Sequence, residues 1–311
     1  VYLFFVISGF LITSILLSYR DEVDTGETSV GGQLKRFYAR RSLRIFPIYY
    51  LTLFAMMAAG QFKDADNFLW LLTYTQNIYA AIKGDWGQLG HFWSLATEEQ
   101  FYLVWPLVVL LAPRKSLVWI LVGAIALAIG FRLEGALTGQ GGALAYYTLP
   151  IASLDTLGLG ALLALAPLDR FETARAMFRK YGVLLLLPVF LIIPLRPTLG
   201  FLQPTVVGLA SLWMIEMCRV GVGGLMGRIL SLPIVLYVGQ ISYGIYAYHQ
   251  APHLILPIET FAFLPGPLQY LVSAVVYTAM TLALAALSWR FFEQPINRLK
   301  DRFGKRAPSA S

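Results

Sequence analysis

Residues His91-Phe92-Trp93-Ser94-Leu95-Ala96-Thr97-Glu98-Glu99-Gln100-Phe101-Tyr102 run straight into the apolar stretch 103–112. Two adjacent carboxylates, an imidazole and the rings of Trp93 and Tyr102 therefore stand at the mouth of a segment able to enter a bilayer. Ionisable groups at membrane depth are costly unless paired or used, so this cluster marks a candidate site. Its residue types suit proton handling by a carboxylate and ring stacking by the aromatics. The competing explanation is that both glutamates are solvated at the interface. A second cluster lies upstream, where Arg40, Arg41 and Arg44 fall within five residues at the entrance of another apolar stretch. Arg40 and Arg44 share a helix face at i, i+4, and Arg41 neighbours Arg44 at i, i+3. Like charges so close repel one another, which favours a bound anion, and the guanidinium fork suits phosphate. Snorkelling side chains beside lipid headgroups would give the same pattern.

The elements that must position these groups are membrane helices. Hydrophobic residues make up 58% of the chain and charged residues 13%, with a mean hydropathy of +0.65. A soluble domain carries roughly 25% charged residues, so a water-facing surface is excluded and the class is all-α, a polytopic transmembrane helix bundle. Apolar runs near the length of a span fall at 1–18, 43–60, 93–112, 117–133, 150–166, 183–196, 203–219, 231–254 and 267–289, nine in all. The aromatic segment 68–82 is short and polar-studded, and reads as an interfacial or re-entrant piece, with a tenth span as the alternative. Of the 24 basic residues, 20 fall in the connections and tail on one side, leaving Lys63, Lys83, Arg132 and Arg196 for the other. The positive-inside rule then puts the C-terminus and the 19–42 loop in the cytoplasm, and the net charge of +7 needs no nucleic-acid partner.

No linker divides the chain, so residues 1–311 read as one membrane domain ending in a short disordered tail at 303–311. The chain opens inside an apolar helix with no initiator Met. It lacks the basic flank and cleavage site of a signal peptide, and is expected to be N-terminally truncated. Cys218 is the single cysteine, which excludes an internal disulfide and argues against a Cys-based metal site. No metal ligand set is expected.

Five blocks, in order, resemble the membrane acyltransferase family 3, the integral-membrane O-acyltransferases of glycans and related acceptors. They are Phe4-Phe5-Val6-Ile7-Ser8-Gly9-Phe10, Arg41-x-x-Arg44-Ile45-x-Pro47-x-Tyr49-Tyr50, Trp93-Ser94-Leu95-x-x-Glu98-Glu99-Gln100-Phe101-Tyr102, Ile241-Ser242-Tyr243-Gly244-Ile245-Tyr246-Ala247-Tyr248-His249, and Phe292-Glu293-Gln294-Pro295. The resemblance implies transfer of an acyl group, usually acetyl, from cytoplasmic acyl-CoA to a carbohydrate hydroxyl. Acetyl-CoA would be a co-substrate and no cofactor stays bound. The bilayer, the acyl donor and the carbohydrate acceptor are the expected partners, and the bacterial inner membrane the expected location. The family's histidine lies in a first helix expected before Val1, which would bring the complete protein to ten spans.

Within that frame Glu98 is the candidate catalytic carboxylate. Arg40, Arg41 and Arg44 would hold donor phosphates, and Trp93, Ser94, Tyr102, Tyr243 and His249 would line the substrate site. His249 reads first as an interhelical hydrogen-bonding group, its family position adding the site-lining role, His253 as a loop residue, and Glu293 as a partner of Arg290 or of an arginine in the second span. No Gly-x-Ser-x-Gly elbow supports a serine acyl-enzyme. A multispan transporter, or a glycan polymerase or ligase, is the alternative class. The first should show repeats, which are not visible, and the second a long extracytoplasmic loop.

Overall fold

The first apolar stretch forms α1 (Tyr2–Asp24), 23 residues long. At 1.5 Å per residue it extends about 35 Å, enough for a hydrocarbon core of about 30 Å. Phe5, Gly9, Ile12, Thr13 and Leu16 are buried at helical spacing, whereas Phe4, Leu11 and Ile15 stay exposed. Large apolar side chains on the outer face of such a helix suit lipid, not water.

The structure, a computed structural model, describes residues 1–60, 65–140, 143–166 and 172–299. The tail at 303–311 and the loop residues 61–64 lie outside them. Every regular element among the described residues is helical. After α1 come α2 (Val30–Ala58), α3 (Ala65–Leu72), α4 (Gln76–Lys83), α5 (Trp93–Leu111), α6 (Arg114–Leu137), α7 (Ala145–Thr148) and α8 (Leu154–Leu165). Then follow α9 (Glu172–Tyr181), α10 (Leu186–Leu191), α11 (Arg196–Leu199), α12 (Gln203–Val220), α13 (Gly224–Leu230) and α14 (Pro233–Gln240). The chain ends through α15 (Ser242–Tyr248), α16 (Ala251–Ile255), α17 (Gly266–Ser288), a π-helical turn at Trp289–Glu293 and α18 (Gln294–Arg298). Contacts divide it into two units, Val1–Leu34 with Asp66–Val222, and Lys35–Ala65 with Gly223–Ser311.

In the first unit α1 packs on α8 with their backbones touching. A Cβ at Gly9 would stand 2.0 Å from the Leu157 carbonyl oxygen, and one at Gly160 2.0 Å from that of Val6. Such close approach through small residues is how membrane helices associate without a hydrophobic drive between them. Arg20 donates to the Val109 and Ala112 carbonyls at the end of α5, each at 2.6 Å, and so satisfies groups the helix cannot.

Four described helical segments are long and apolar enough to cross a membrane: Tyr2–Asp24, Arg114–Leu137, Gly200–Val220 and Gly266–Arg298. Pro150–Leu165 is apolar but shorter. The stretches 43–60 and 93–112 fall largely within α2 and α5, helices that continue through Pro47 and Pro106. Two expected spans are broken instead. Residues 231–254 divide into α14, α15 and α16, with Ile241 at φ −92°, ψ 7° between the first two and Pro252 opening the third, where it lacks an N–H for the preceding turn. His253 thus lies in a short helix, not in a loop. Residues 183–196 divide into a 3₁₀ turn at Gly182–Leu185 and α10. The segment 68–82 forms parts of two short helices, α3 and α4.

Candidate active site

In the first unit the approach to α5 is pinned before the helix begins. Asn67 Nδ2 donates to Gln76 Oε1 at 3.2 Å, Gln76 Nε2 to the Trp86 carbonyl at 2.7 Å, and the Gln88 N–H to Asn67 Oδ1 at 3.2 Å. A 3₁₀ turn at Gly90–Phe92 then feeds α5. Over its first two turns each polar side chain takes a different direction, because successive residues lie about 100° apart on a helix. Thr97 donates to the Thr148 carbonyl at 3.1 Å. Gln100 and Asn77 exchange amide hydrogen bonds at 2.9 and 3.0 Å. Glu98 turns to α1, where Ser8 Oγ donates to its Oε1 at 2.6 Å. A hydrogen bond to an ionised oxygen is the stronger kind, so Ser8 fixes this carboxylate.

The aromatics form a group around Trp93. Its ring meets Phe5 edge-on with centroids 6.0 Å apart, lies 5.0 Å from Tyr147 and 6.3 Å from Trp86. Trp93, Ser94 and Tyr102 are buried, and Glu98, Glu99 and His91 half-buried. The residues expected at the acidic motif are therefore together at one helix entrance.

One polar centre of this unit escaped the sequence pattern. Arg132 and Asp155 are 5% and 0% exposed. The guanidinium donates to both Asp155 oxygens, at 3.1 and 2.6 Å, to Thr205 Oγ1 at 2.9 Å, and to the carbonyls of Phe201, at 2.8 Å, and Ala152. Thr205 Oγ1 in turn donates to Asp155 Oδ2 at 2.6 Å. The available signal was Asp155 itself, a lone acid within the apolar run 150–166.

In the second unit Arg44 lines a cavity of about 190 Å³ with Ser242, Tyr243 and Glu293. Tyr243 donates its hydroxyl to the Ile45 carbonyl at 3.0 Å, tying α15 to the turn that carries Arg44. Arg40 and Arg41 are half-buried on the same helix but do not line that cavity. His249 stands elsewhere. It is exposed, its Nδ1 lies 2.7 Å from the Tyr246 carbonyl oxygen, and it lines a separate cavity of about 500 Å³ with His253, Ser273 and Tyr277. Glu293 shares a cavity with Arg44, whereas the Arg290 guanidinium lies 6.0 Å from the Phe291 ring centroid.

All-helical architecture, lipid-suited outer faces and polar groups at helix entrances define an integral-membrane protein. More narrowly, residues 1–290 match the acyltransferase domain family, and the chain belongs to it. Among its relatives, the peptidoglycan O-acetyltransferase OatA of Listeria monocytogenes is 27% identical over 335 residues, which cover 95% of this chain and 50% of that protein. The putative peptidoglycan O-acetyltransferase YrhL of Bacillus subtilis is 26% identical over 345 residues, covering 94% and 49% respectively. The chain thus spans about half the length of the curated relatives it matches. No solved structure matches it.

Proposed function

We propose that this chain is the membrane domain of an O-acyltransferase that moves acetyl from cytoplasmic acetyl-CoA to a carbohydrate hydroxyl, with peptidoglycan as the acceptor. The observation that carries this proposal is the family match over residues 1–290, and the names of the relatives point to the acceptor. In the reaction the acceptor oxygen bonds to the acyl carbon, the carbon–sulfur bond breaks, and the hydroxyl proton ends on the coenzyme A thiol. Arg44 and its neighbours Arg40 and Arg41 meet the donor phosphates. Glu98, held by Ser8, orients the acceptor hydroxyl, and Trp93 and Tyr102 shape the surface the sugar meets.

Nine crossings, with a cytoplasmic C-terminus in the bacterial inner membrane, complete the proposal, supported by the 20-to-4 division of basic residues. The test supplies radiolabelled acetyl-CoA and peptidoglycan glycan strands as acceptor to membranes containing the protein. Base-labile label on the glycan, absent from membranes without the protein, is the expected result. Label that stays on protein or lipid alone would overturn it.

A further inference from the structure

Two exposed rings stand beside the buried Trp93 at the start of α5. Trp86 and Tyr147 are each 39% exposed, against 4% for Trp93. Their centroids lie 5.8 Å apart with the planes at 89°, and Trp93 backs both, at 6.3 and 5.0 Å. Tyr2 of α1 meets Tyr147 edge-on at 6.3 Å. A contiguous pair of large rings left partly in the open asks for a partner.

Both rings sit on backbone that is held in place. Trp86 lies between Gly84 and Gly87, at φ 66° and 61°, and Leu89 follows at φ 51°. A Cβ on Gly87 would stand 2.3 Å from Asn67 Nδ2, so the turn after Trp86 needs glycine. Leu89 puts a branched side chain in the left-handed region, a strained state that persists where its surroundings enforce it and that gathers at ligand sites. Here the Gln76 bond to the Trp86 carbonyl and the Gln88 N–H bond to Asn67 enforce it. Gly90 lies against the base of the indole, since a Cβ there would stand 2.8 Å from that of Trp86. Tyr147 is held as firmly. Thr148 Oγ1 donates to the Asn77 carbonyl at 2.9 Å, and Thr97 Oγ1 to the Thr148 carbonyl at 3.1 Å. Rings fixed before a ligand arrives lose little entropy on binding it.

A membrane-interface belt exposes rings too, but among lipid-facing side chains. Trp119 fits that pattern, 75% exposed between the exposed Val118 and Ile120 on α6. Trp86 instead follows Lys83, Gly84 and Asp85, all exposed, in a polar loop. A pyranose whose substituents are all equatorial has a flat face of axial C–H groups and a polar rim. The face of an aromatic ring is the negative part of its quadrupole, so it suits such C–H groups. A β-1,4-linked amino-sugar chain offers these faces along a nearly straight strand, whereas an α-1,4-linked glucan curls. We propose that Trp86 and Tyr147 form a carbohydrate subsite that stacks a pyranose ring of a β-1,4-linked amino-sugar chain. This inference rests on the carbohydrate acceptor proposed above and deepens it. In the nine crossings proposed there, 61–92 and 134–149 both face outward, the side on which such a chain lies.

Equilibrium binding of chitotetraose and of maltotetraose to the full chain in lipid nanodiscs tests the subsite. Chitotetraose should bind about fivefold tighter or more, the scale of one stacked ring. Trp86→Ala should weaken chitotetraose by about fivefold or more, as loss of an aromatic anchor implies, while Trp86→Phe, which keeps a ring, should retain most of the affinity. Tyr147→Leu, apolar but without a π face, should weaken it too, and serves if Trp86→Ala does not fold. Trp119→Ala should change nothing. In the parent, oxidative labelling of Trp86, read by mass spectrometry, should fall with chitotetraose and not with maltotetraose. Equal binding of the two sugars, no binding of chitotetraose, an unprotected Trp86, or unchanged affinity in either variant that folds would overturn the inference. Acetyl transfer whose KM for the glycan is the same in the parent and both variants would sink this inference alone. Ring-dependent chitotetraose binding without any acetyl transfer would sink the acyl-transfer proposal and leave the subsite standing.

Discussion

Glu98→Gln is the substitution that best separates the roles open to this carboxylate. The side chain keeps its size and an acceptor oxygen but loses its charge, so the 2.6 Å bond from Ser8 changes from charge-assisted to neutral. Bonds to charged groups contribute about 1.5–3 kcal/mol and neutral ones about 0.5–1.5 kcal/mol, a difference of about 1–1.5 kcal/mol. That converts to roughly tenfold in rate if the orientation matters only in the transition state. Glu98 acting by orientation therefore predicts a loss of about tenfold. Ser8→Ala removes the whole bond, about 1.5–3 kcal/mol, and should lose about tenfold or more, and the double variant little more than Ser8→Ala, because the two residues act as one unit. Glu99→Gln should lose less, since Glu98 is the carboxylate that Ser8 of α1 holds. The assay is the initial rate of labelled acetyl transfer by membranes, normalised to the amount of folded protein. Near-normal rates in both Glu98→Gln and Ser8→Ala would refute the reasoning and leave the carboxylate as interfacial decoration. A loss of about 100- to 10,000-fold in Glu98→Gln alone would refute it differently, because that is the scale of direct proton transfer.

Three further outcomes follow from the structure. Arg132→Met strands a fully buried Asp155 and should cost about 3–5 kcal/mol, while Arg132→Met with Asp155→Leu should recover most of it; thermal melts in detergent read both, and equal losses in the single and double variants would contradict the pairing. Gly160→Val drives a side chain into the Val6 carbonyl, so α1 and α8 must part at a cost above the usual 1–3 kcal/mol or so of overpacking. Gly130→Ala, with nothing within 4 Å of its new Cβ, is the control and should melt no lower than the parent. Arg44→Lys keeps the charge but loses the planar fork, so it should raise the KM for acetyl-CoA and leave that for the glycan unchanged.

The parts legible in the sequence were those decided by local chemistry. Continuous apolar runs gave α5, α6, α12 and α17 close to their observed bounds, because length and hydropathy go far to settle an apolar helix, whereas α1 runs six residues past its apolar stretch. The Trp93–Tyr102 motif likewise stood out as polar groups where α5 begins, whereas Arg44, expected at a helix entrance, lies midway along the continuous helix α2. What was hidden depended on tertiary partners. Nothing near Glu98 identifies Ser8, 90 residues away, as the group that holds it. Arg132 counted as a charge facing the non-cytoplasmic side, yet its guanidinium is spent on Asp155 and Thr205 inside the first unit. The run 231–254 looked continuous because its breaks lie at Ile241 and Pro252, single residues that hydropathy does not register. His249, six residues after Tyr243, looked like its companion, yet the two line different cavities.

The central claim is that this chain belongs to a working O-acyltransferase whose donor sits at Arg44. Membranes containing the parent protein or Arg44→Ala, at equal amounts, given radiolabelled acetyl-CoA and the glycan acceptor, test it most directly. Base-labile label should accumulate on the glycan with the parent and fall to near background with Arg44→Ala at donor concentrations that suffice for the parent. Glycan label at the same rate from both, or from neither, would contradict it.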